Sequence, residues 1–501
     1  MYGTFWALVP PIVAIVLALI TKETYSSLFL GIVVGALFVG GFNLVGSLDT
    51  MINDGFIAAL SDSGNAGIFM FLVLLGIMVA LINAAGGSAA FGRWAAQHVH
   101  TRAGAIIATF FLGVLIFVDD YFNCLTVGSV MRPVTDSHNV SRAKLAYIID
   151  ATAAPICMIA PVSSWAAAVA TTAQDLDTGI SGIQLFVQAI PYNFYSLLTI
   201  VFVIAITVMG FDYGPMAKAE FKALQGELGS LGNDEENNVE NACIWDMLIP
   251  VIVLIIFCIV GLMYVGGFWD GAGLVDSFAN TSASVGLPWG CIIALLITFA
   301  YLLLRRVITF KDATGCITKG FIAMVPALLI LTFALTLKNM TGLLGAADYV
   351  AGLVQGAADG LFSMLPAIIF IVAVGLAFAT GTSWGTFGIL IPIVLPVFAD
   401  NPDLLMIGIS ACLAGAVCGD HCSPISDTTI MASAGANCNH IEHVSTQLPY
   451  ALTVAAICFV NFILAGFIRN AVICLIIGIV MIIGTLFVIR SVVRKNAAEQ
   501  A

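Results

Sequence analysis

The sequence carries little charge for its length. Of its 501 residues, 17 are Lys or Arg and 29 are Asp or Glu, so charged residues make up 9% of the chain. Hydrophobic residues make up 60%, and the mean hydropathy is +1.07. Because soluble domains carry roughly a quarter charged residues, this composition excludes that class. It predicts an all-α polytopic membrane protein whose main partner is the lipid bilayer.

Motifs of several other protein classes are missing from the sequence. No Gly-rich loop ending in Lys occurs, which argues against ATP-driven pumping by this chain. No nucleophile elbow and no familiar metal-ligand spacing occurs, so we expect neither enzymatic activity nor a cofactor. The net charge of −12 argues against a nucleic-acid partner. The twelve cysteines lie mostly in apolar stretches, where we expect them to be unpaired.

Long apolar segments recur along the chain. About 20 apolar residues in a helix cross the hydrocarbon core of a bilayer. No basic region precedes the first segment, so we expect it to be a retained helix rather than a signal peptide. About thirteen segments have the length and hydropathy of a span, namely residues 5–21, 26–46, 66–85, 104–118, 145–171, 192–211, 246–267, 287–304, 320–337, 364–380, 404–418, 447–468 and 471–489.

Basic residues predict the orientation of these segments, because short cytoplasmic loops are enriched in Lys and Arg. Loops 48–65 and 172–190 contain neither and are expected outside, whereas Lys218 and Lys222 place the following linker inside. After that linker the pattern reverses. Loop 268–286 contains no basic residue, and the next loop contains four, Arg305, Arg306, Lys311 and Lys319.

This reversal predicts two repeats of inverted topology, an arrangement found in secondary transporters. The organisation we expect places the N-terminus outside and the C-terminus in the cytoplasm of a cell (inner or plasma) membrane. Its parts are a first repeat at 1–211, an acidic cytoplasmic linker at 212–243, a second, inverted repeat at 244–468, and an extra helix with a cytoplasmic tail at 469–501.

Short echoes between the halves leave the alignment of the repeats open. Asp150, followed by Pro155 and Ile156, resembles Asp420, followed by Pro424 and Ile425. A second echo pairs Ser164-Trp165 with Ser383-Trp384 at a different offset. The two alignments cannot both hold.

Polar clusters interrupt the apolar sequence, and polar groups at membrane depth persist mainly where an ion or substrate passes. In the first half, prolines near Asp150 free backbone carbonyls. Carbonyl, hydroxyl and carboxylate oxygens are hard ligands for a small cation. A helix end at the interface and a packed proline kink are the alternatives. The candidates are Asp150, Thr152, Ser163 and Ser164 for ion or substrate binding, and Asp119, Asp120 and Asn123 for a gate or second site.

Two denser clusters lie in the second half. Residues 379–388 are rich in Gly and hydroxyls and predict a hairpin tip, whose amides could also bind an anion. Residues 419–429 contain two acids, a histidine and four hydroxyls. A small-residue packing interface and a polar cytoplasmic loop are the respective alternatives. The candidates are Gly381, Ser383, Trp384, Thr386, Asp420, Ser423, Asp427 and Thr428, with His421 as a proton-sensitive gate residue.

Three of these motifs resemble the NhaC family of Na+/H+ antiporters, within the ion transporter superfamily. They are the adjacent acids at 119–120, the run Gly-Thr-Ser-Trp-Gly-Thr at 381–386, and the polar run at 419–429. The resemblance implies an inverted-repeat secondary transporter with two re-entrant or broken-helix hairpins, a midplane site, elevator-like alternating access and a homodimer. Similar proteins include malate/lactate exchangers and amino-acid carriers, so the resemblance implies the class more strongly than the substrate.

We expect Na+ and H+ to compete for one site, with Asp150 and Asp427 as the principal Na+ ligands. The alternative within the same class is Na+-coupled movement of a small organic solute, an amino acid or a carboxylate, with Trp165 and Trp384 lining a larger pocket. A channel is a further alternative, and its flux would be unaffected by a counter-ion gradient.

Overall fold

Helices account for all the regular secondary structure of the described residues. The computed structural model describes residues 1–21, 23–117, 120–160, 163, 165, 169, 182–229, 241–346, 348–349, 362–398 and 401–500. Within these ranges no residue lies in a β-strand. The prediction of an all-α chain is therefore confirmed for this part of the protein.

The helices of the first half differ widely in length. Several begin at side-chain caps. The Thr101 hydroxyl accepts a hydrogen bond from the Gly104 backbone amide at 2.9 Å, and the Ser141 hydroxyl accepts one from the Lys144 backbone amide at 3.0 Å. The α-helices are α1 (Val9–Thr21), α2 (Thr24–Val39), α3 (Leu44–Asp49), α4 (Ala58–Ser61), α5 (Ser63–Ala84), α6 (Gly87–His98), α7 (Arg102–Leu115), α8 (Asp120–Ser137), α9 (Arg142–Thr152), α10 (Ala154–Cys157), α11 (Gly182–Ala189) and α12 (Phe194–Met209), with a π-helical turn at Thr50–Ile57.

The linker and the second half continue the same pattern. Ser426 and Asn439 cap two consecutive helices by accepting hydrogen bonds from the Thr429 and Glu442 amides. The helices are α13 (Gly214–Leu224), α14 (Trp245–Val265), α15 (Leu274–Ala279), α16 (Ala283–Leu304), α17 (Phe310–Leu343), α18 (Leu365–Thr380), α19 (Ser383–Val397), α20 (Pro402–Cys422), α21 (Asp427–Ala436), α22 (His440–Ile468) and α23 (Ala471–Gln500).

Seven helical segments among the described residues are long and apolar enough to cross a membrane. A bent pair, Gln184–Tyr192 with Phe194–Met209 at 48°, makes an eighth if it is one span. The predicted number of thirteen is not confirmed. The predicted segment 145–171 does not form one helix, because α9 ends at Thr152. The seven are Ser63–Ala84, Trp245–Val265, Ser284–Leu304, Phe362–Thr380, Pro402–Cys422, His440–Ile468 and Ala471–Lys495.

Glycines allow the long helices to pack closely. A Cβ atom at Gly419 on α20 would lie 2.2 Å from the carbonyl oxygen of Val374 on α18. At the crossing of α5 and α17, a Cβ atom at Gly76 would lie 2.6 Å from the carbonyl oxygen of Gly320. Lipid offers no hydrophobic drive for helix association, so such close contacts supply much of the attraction. None of the twelve cysteines forms a disulfide bond, as expected, and Cys243 alone among them is not buried.

The linker helix α13 docks on the first turn of α9. Glu220 forms an ion pair with Arg102 and accepts a hydrogen bond from the Ser141 amide at 2.8 Å. Lys144 forms an ion pair with Asp212. Burial opposes ionisation of Asp212, but the Lys144 ammonium group outweighs it and lowers the pKa of this carboxyl. Burial dominates at Glu220 and raises its pKa.

Interruptions of helical structure occur around the polar clusters, and those at Ala153, 381–382 and 423–426 are buried. Helix α7 ends at Leu115 and α8 begins at Asp120, and α18 and α19 are separated at 381–382. The helices α9 and α10 are separated at Ala153, whose ψ of −96° is not helical, and α20 and α21 at 423–426. Gly381 has a φ of +65°, which a side chain would strain. Irregular backbone at membrane depth is tolerated where it is buried or lines a cavity.

Candidate ion-binding site

Three carboxylates lie at the ends of the broken helices. Asp150 and Asp420 each stand two residues before the last residue of their helix, α9 and α20 respectively, and both are about 2% exposed or less. Asp427 begins α21 and is partly exposed. The C-terminal end of a helix carries a partial negative charge. Asp150 and Asp420 therefore add full charges to two negative helix ends, an arrangement that attracts cations.

Asp150 is held by donors from α21 and α22. Its Oδ2 accepts hydrogen bonds from the Thr429 hydroxyl at 3.0 Å, the Gln447 amide at 2.9 Å and His443 Nε2 at 3.3 Å. His421 Nε2 lies 4.0 Å from the same oxygen. The other oxygen, Oδ1, is buried and has no hydrogen-bond partner in the described structure. One oxygen of Asp150 is thus fixed in place while the other remains available to an ion.

Asp420 is tied to the break between α18 and α19. Its Oδ2 accepts a hydrogen bond of 2.7 Å from the hydroxyl of Ser383, the first residue of α19. Its buried Oδ1 has no partner among the described residues. Asp420 lies within electrostatic range of both Asp427 and Asp150. Three acids therefore share one region, where like charges repel unless a cation or protons neutralise them.

Asp427 contacts α8. Its Oδ2 accepts a hydrogen bond of 2.7 Å from the Tyr121 hydroxyl, and its Oδ1 accepts one from the Thr428 amide at 2.9 Å. The hydroxyls of Ser426 and Thr428 lie 3.0 Å apart. The break before α21 thus places several neutral oxygens beside a carboxylate, which is a donor set suited to a hard cation.

His421 links the acids to α12. Its Nδ1 shares a hydrogen bond of 2.8 Å with the Tyr195 hydroxyl, while its buried Nε2 has no hydrogen-bond partner in the part described. Gln447 also donates to the backbone carbonyl of His421 at 2.6 Å. His421 therefore places a nitrogen that can bind a proton 4.0 Å from Asp150.

Asn123 stabilises two helix breaks together. Its side-chain amide lies within hydrogen-bond distance of the carbonyls of Gly113 at 2.6 Å, Ile116 at 2.8 Å and Thr152 at 3.1 Å. These carbonyls belong to the ends of α7 and α9, where the helix itself offers no donor. Asn123 therefore supports the breaks rather than contacting the acids directly. Asp120 is buried at the start of α8.

Other predicted site residues contact backbone carbonyls or aromatic rings rather than the acids. The hydroxyls of Thr152, Ser163, Thr386 and Ser423 donate to backbone carbonyls, of Ile148, Cys157, Thr382 and Phe378 respectively. Gly381 forms the break before Ser383, and Trp384 is 40% exposed, with its ring 5.9 Å from that of Trp165. The remaining predictions, Asp119 and Ser164, lie outside the described residues.

Positive charge is scarce around the acids. No Lys or Arg of the described residues lies within ion-pair distance of Asp150, Asp420 or Asp427. Lys338 on α17 is the lysine that interacts with Asp427 at longer range. A bound cation or protons would therefore have to supply most of the compensating charge.

Sequence reasoning missed four partners of the acids, namely Tyr121, Thr429, His443 and Gln447, and also Tyr195, the partner of His421. One signal was present in the sequence. His440, His443 and Gln447 follow each other at helical spacing and occupy one face of α22, which is otherwise largely apolar. A polar stripe on an apolar helix indicates a buried polar neighbour.

Apolar spans around a cluster of buried carboxylates are the arrangement of a membrane ion transporter. A model of the Na+/H+ antiporter family matches residues 156–467. This match covers more than half of the chain, which therefore belongs to the Na+/H+ antiporter family. The resemblance indicated by the three motifs is confirmed.

Relatives agree with this assignment. An uncharacterised protein of Haemophilus influenzae is 37% identical over 479 residues, which cover 93% of this chain and 91% of that protein. The malate-2H(+)/Na(+)-lactate antiporter of Bacillus subtilis is 29% identical over 163 residues, covering 32% of this chain and 34% of that protein. An uncharacterised Na(+)/H(+) antiporter of Haemophilus influenzae is 30% identical over 156 residues, covering 30% and 32%. The last two matches span about one third of each protein.

Proposed function

We propose that this protein exchanges Na+ for H+ at the cluster formed by Asp150, Asp420 and Asp427. The observation that carries the proposal is the meeting of three acids, two of them at negative helix ends, without a Lys or Arg at ion-pair distance in the described structure. Na+ binds to Asp150 and Asp427, with neutral oxygens completing its coordination. Protons neutralise the same acids when Na+ leaves, so that the two ions compete for one site.

The breaks also support the proposed inverted repeats, 1–211 and 244–468. In each repeat, two helices separated by a short break are followed by a broken helix with an acid two residues before its end. This agreement favours the alignment of Asp150 with Asp420 over that of Ser164 with Ser383. The N-terminus outside, the cytoplasmic linker 212–243, the cytoplasmic C-terminus and a homodimer belong to the same proposal.

Transport in proteoliposomes tests the exchange. Purified protein is reconstituted with a pH dye inside, and Na+ is added outside without any organic solute. We expect proton efflux with the natural protein and at least tenfold less with Asp150→Asn or Asp427→Asn. Asp270→Asn is the matched control, because Asp270 is exposed in the turn Phe268–Asp270, which contributes no residue to the candidate site. Full activity of both site variants would overturn the assignment of the acids.

Alternating access is tested by labelling from the two sides of the membrane. Trp384 is 40% exposed beside the α18–α19 break, and Cys243 is the one cysteine that is not buried. The double variant Cys243→Ser, Trp384→Cys therefore carries a single reactive thiol. We expect a membrane-impermeant maleimide to label it from opposite sides in high Na+ and at low pH without Na+. Labelling from one side only under both conditions would contradict the mechanism.

Coupled transport of an organic solute is the second candidate function. It is favoured by Trp165 and Trp384, whose rings meet edge to face at 5.9 Å near Ser383. The Bacillus subtilis relative named as a malate-2H(+)/Na(+)-lactate antiporter supports the same candidate. If Na+ alone moves no protons and a carboxylate or amino acid restores the flux, the solute function replaces simple ion exchange.

A further inference from the structure

A cavity whose lining includes none of the three acids lies between the end of α5 and the start of α17. Its volume is about 500 Å³, and its lining includes Ala84, the 306–309 connection and the first turns of α17. Three basic side chains line it, Arg306, Lys311 and Lys319. None of these residues belongs to the candidate ion-binding site.

The basic side chains of this cavity are not neutralised. In the part of the chain that the structure describes, neither Arg306, Lys311 nor Lys319 lies within ion-pair distance of a carboxylate. The one acid in the lining, Asp312, accepts a hydrogen bond of 2.6 Å from the Thr309 hydroxyl at the start of α17. Three like charges around one cavity repel each other and attract an anion.

The neighbouring Arg305, unlike Arg306, is neutralised by a carboxylate. Its guanidinium forms an ion pair with Asp246 at 3.1 Å. Arg306 instead adopts a left-handed backbone with a φ of +56°, in the turn that follows α16. Gly and Asn are the residues that normally occupy this position. A strained Arg at a helix end, lining a cavity with two lysines, is an observation that suggests a binding role.

Apolar side chains that lie close in the chain to the lining residues identify the source of the anion. Leu304, Phe310 and Ile317 are 84%, 66% and 50% exposed. Exposed apolar side chains of this size on a membrane protein are expected to face lipid. The cavity therefore opens at the edge of the bilayer, and the positive-inside rule assigns this loop to the cytoplasmic surface. Basic pockets between helices at that surface suit lipid head groups.

We propose that this cavity binds the phosphate head group of an anionic phospholipid. Arg306 pairs with two phosphate oxygens, since its planar guanidinium matches their spacing, and the two lysines act as point charges. The acyl chains lie along the exposed apolar side chains. Because the cavity is at the contact of α5 with α17, the bound lipid stabilises this contact.

Thermal unfolding of the full-length protein in detergent tests the proposal. Phosphatidylglycerol, phosphatidylcholine and inorganic phosphate are titrated separately. We expect phosphatidylglycerol to raise Tm and phosphatidylcholine not to do so. In the variant Arg306→Gln, Lys311→Gln, Lys319→Gln, the half-saturating concentration of phosphatidylglycerol should rise at least tenfold. The control Lys218→Gln, Lys222→Gln, Arg494→Gln removes the same charge elsewhere and should change it less than twofold.

Two outcomes would overturn the proposal. Equal half-saturating concentrations of phosphatidylglycerol for the two triple variants would exclude a site at the cavity. Stabilisation by inorganic phosphate, with no further effect of phosphatidylglycerol, would assign the cavity to a soluble anion instead of a lipid.

A single substitution separates binding from folding. Arg306→Gly removes the guanidinium and also relieves the strained backbone. We expect its Tm without lipid to equal or exceed that of the natural protein, while the half-saturating phosphatidylglycerol concentration rises about threefold. Unchanged lipid binding in this variant would contradict the role of Arg306.

Discussion

The hydroxyl of Ser383 donates a hydrogen bond of 2.7 Å to Asp420 Oδ2 and thereby joins the first turn of α19 to the last turn of α20. This single hydrogen bond connects the α18–α19 break with the α20–α21 break. Any ion that binds Asp420 must therefore act on the α18–α19 break as well.

Removal of this hydroxyl should weaken Na+ binding. A hydrogen bond to a charged group contributes about 1.5–3 kcal/mol, so Ser383→Ala should raise the apparent KM for Na+ about tenfold or more. Thr386→Ala is the matched control, because the Thr386 hydroxyl donates only to the Thr382 carbonyl at 2.9 Å. The apparent KM for Na+ of both variants is measured from Na+-dependent proton flux in proteoliposomes. Equal KM values for the two variants would exclude the proposed role of Ser383.

His443 should act mainly as a hydrogen-bond donor to Asp150. Substitution by Gln keeps a donor in the region of Nε2 but removes the imidazole ring, whereas Ala removes both. We expect His443→Ala to lower transport at least tenfold and His443→Gln to stay within about threefold of the natural protein. The pH profile of transport is the second readout. A profile shifted by a full unit in His443→Gln would instead identify His443 as a proton carrier.

The ion pair between Asp212 and Lys144 should make stability depend on pH. Burial opposes ionisation of Asp212, but Lys144 and the Tyr450 hydroxyl outweigh it, so its folded-state pKa is lowered. Its stabilising contribution is therefore present above about pH 4, the ordinary pKa, and is lost as the pH falls through the lower folded-state value.

Thermal unfolding of Asp212→Asn tests this dependence. Leaving one partner of a buried pair alone costs about 3–5 kcal/mol, so the variant should unfold at a clearly lower temperature at pH 7. The difference from the natural protein should shrink below pH 4. Asp270→Asn, which alters an exposed acid, should show no such trend. A difference that persists unchanged to pH 3 would point to lost packing instead.

Close packing of α8 against α21 should be essential for stability. A Cβ atom at Gly128 would lie 2.4 Å from the carbonyl carbon of Gly435, a distance that requires the helices to separate. We expect Gly128→Ala to lower stability by about 1–3 kcal/mol and to reduce transport, because α8 carries Tyr121. Gly388→Ala adds the same methyl group in α19, where nothing lies within 4 Å. Comparable Tm values for these two variants would refute the prediction.

Several features could be predicted from sequence because their causes are local. Low charge and long apolar runs determine that the chain lies in a membrane. Pro155, Gly381 and Pro424 interrupt helices at or near their own positions, since proline lacks an amide donor and glycine tolerates a positive φ. The adjacent acids at 119–120 and the polar runs at 381–386 and 419–429 together indicated the family. The number of spans was harder to predict, because apolar helices of intermediate length can be interrupted or fail to cross.

The tertiary structure alone decided which groups surround each acid. Thr429, His443 and Gln447 reach Asp150 from positions 279 to 297 residues away in the chain. Local sequence determines where a helix breaks and which polar groups it exposes there. The packing of distant helices determines which of those groups meet, because it depends on the fit of whole helix surfaces and on the glycines that let them approach.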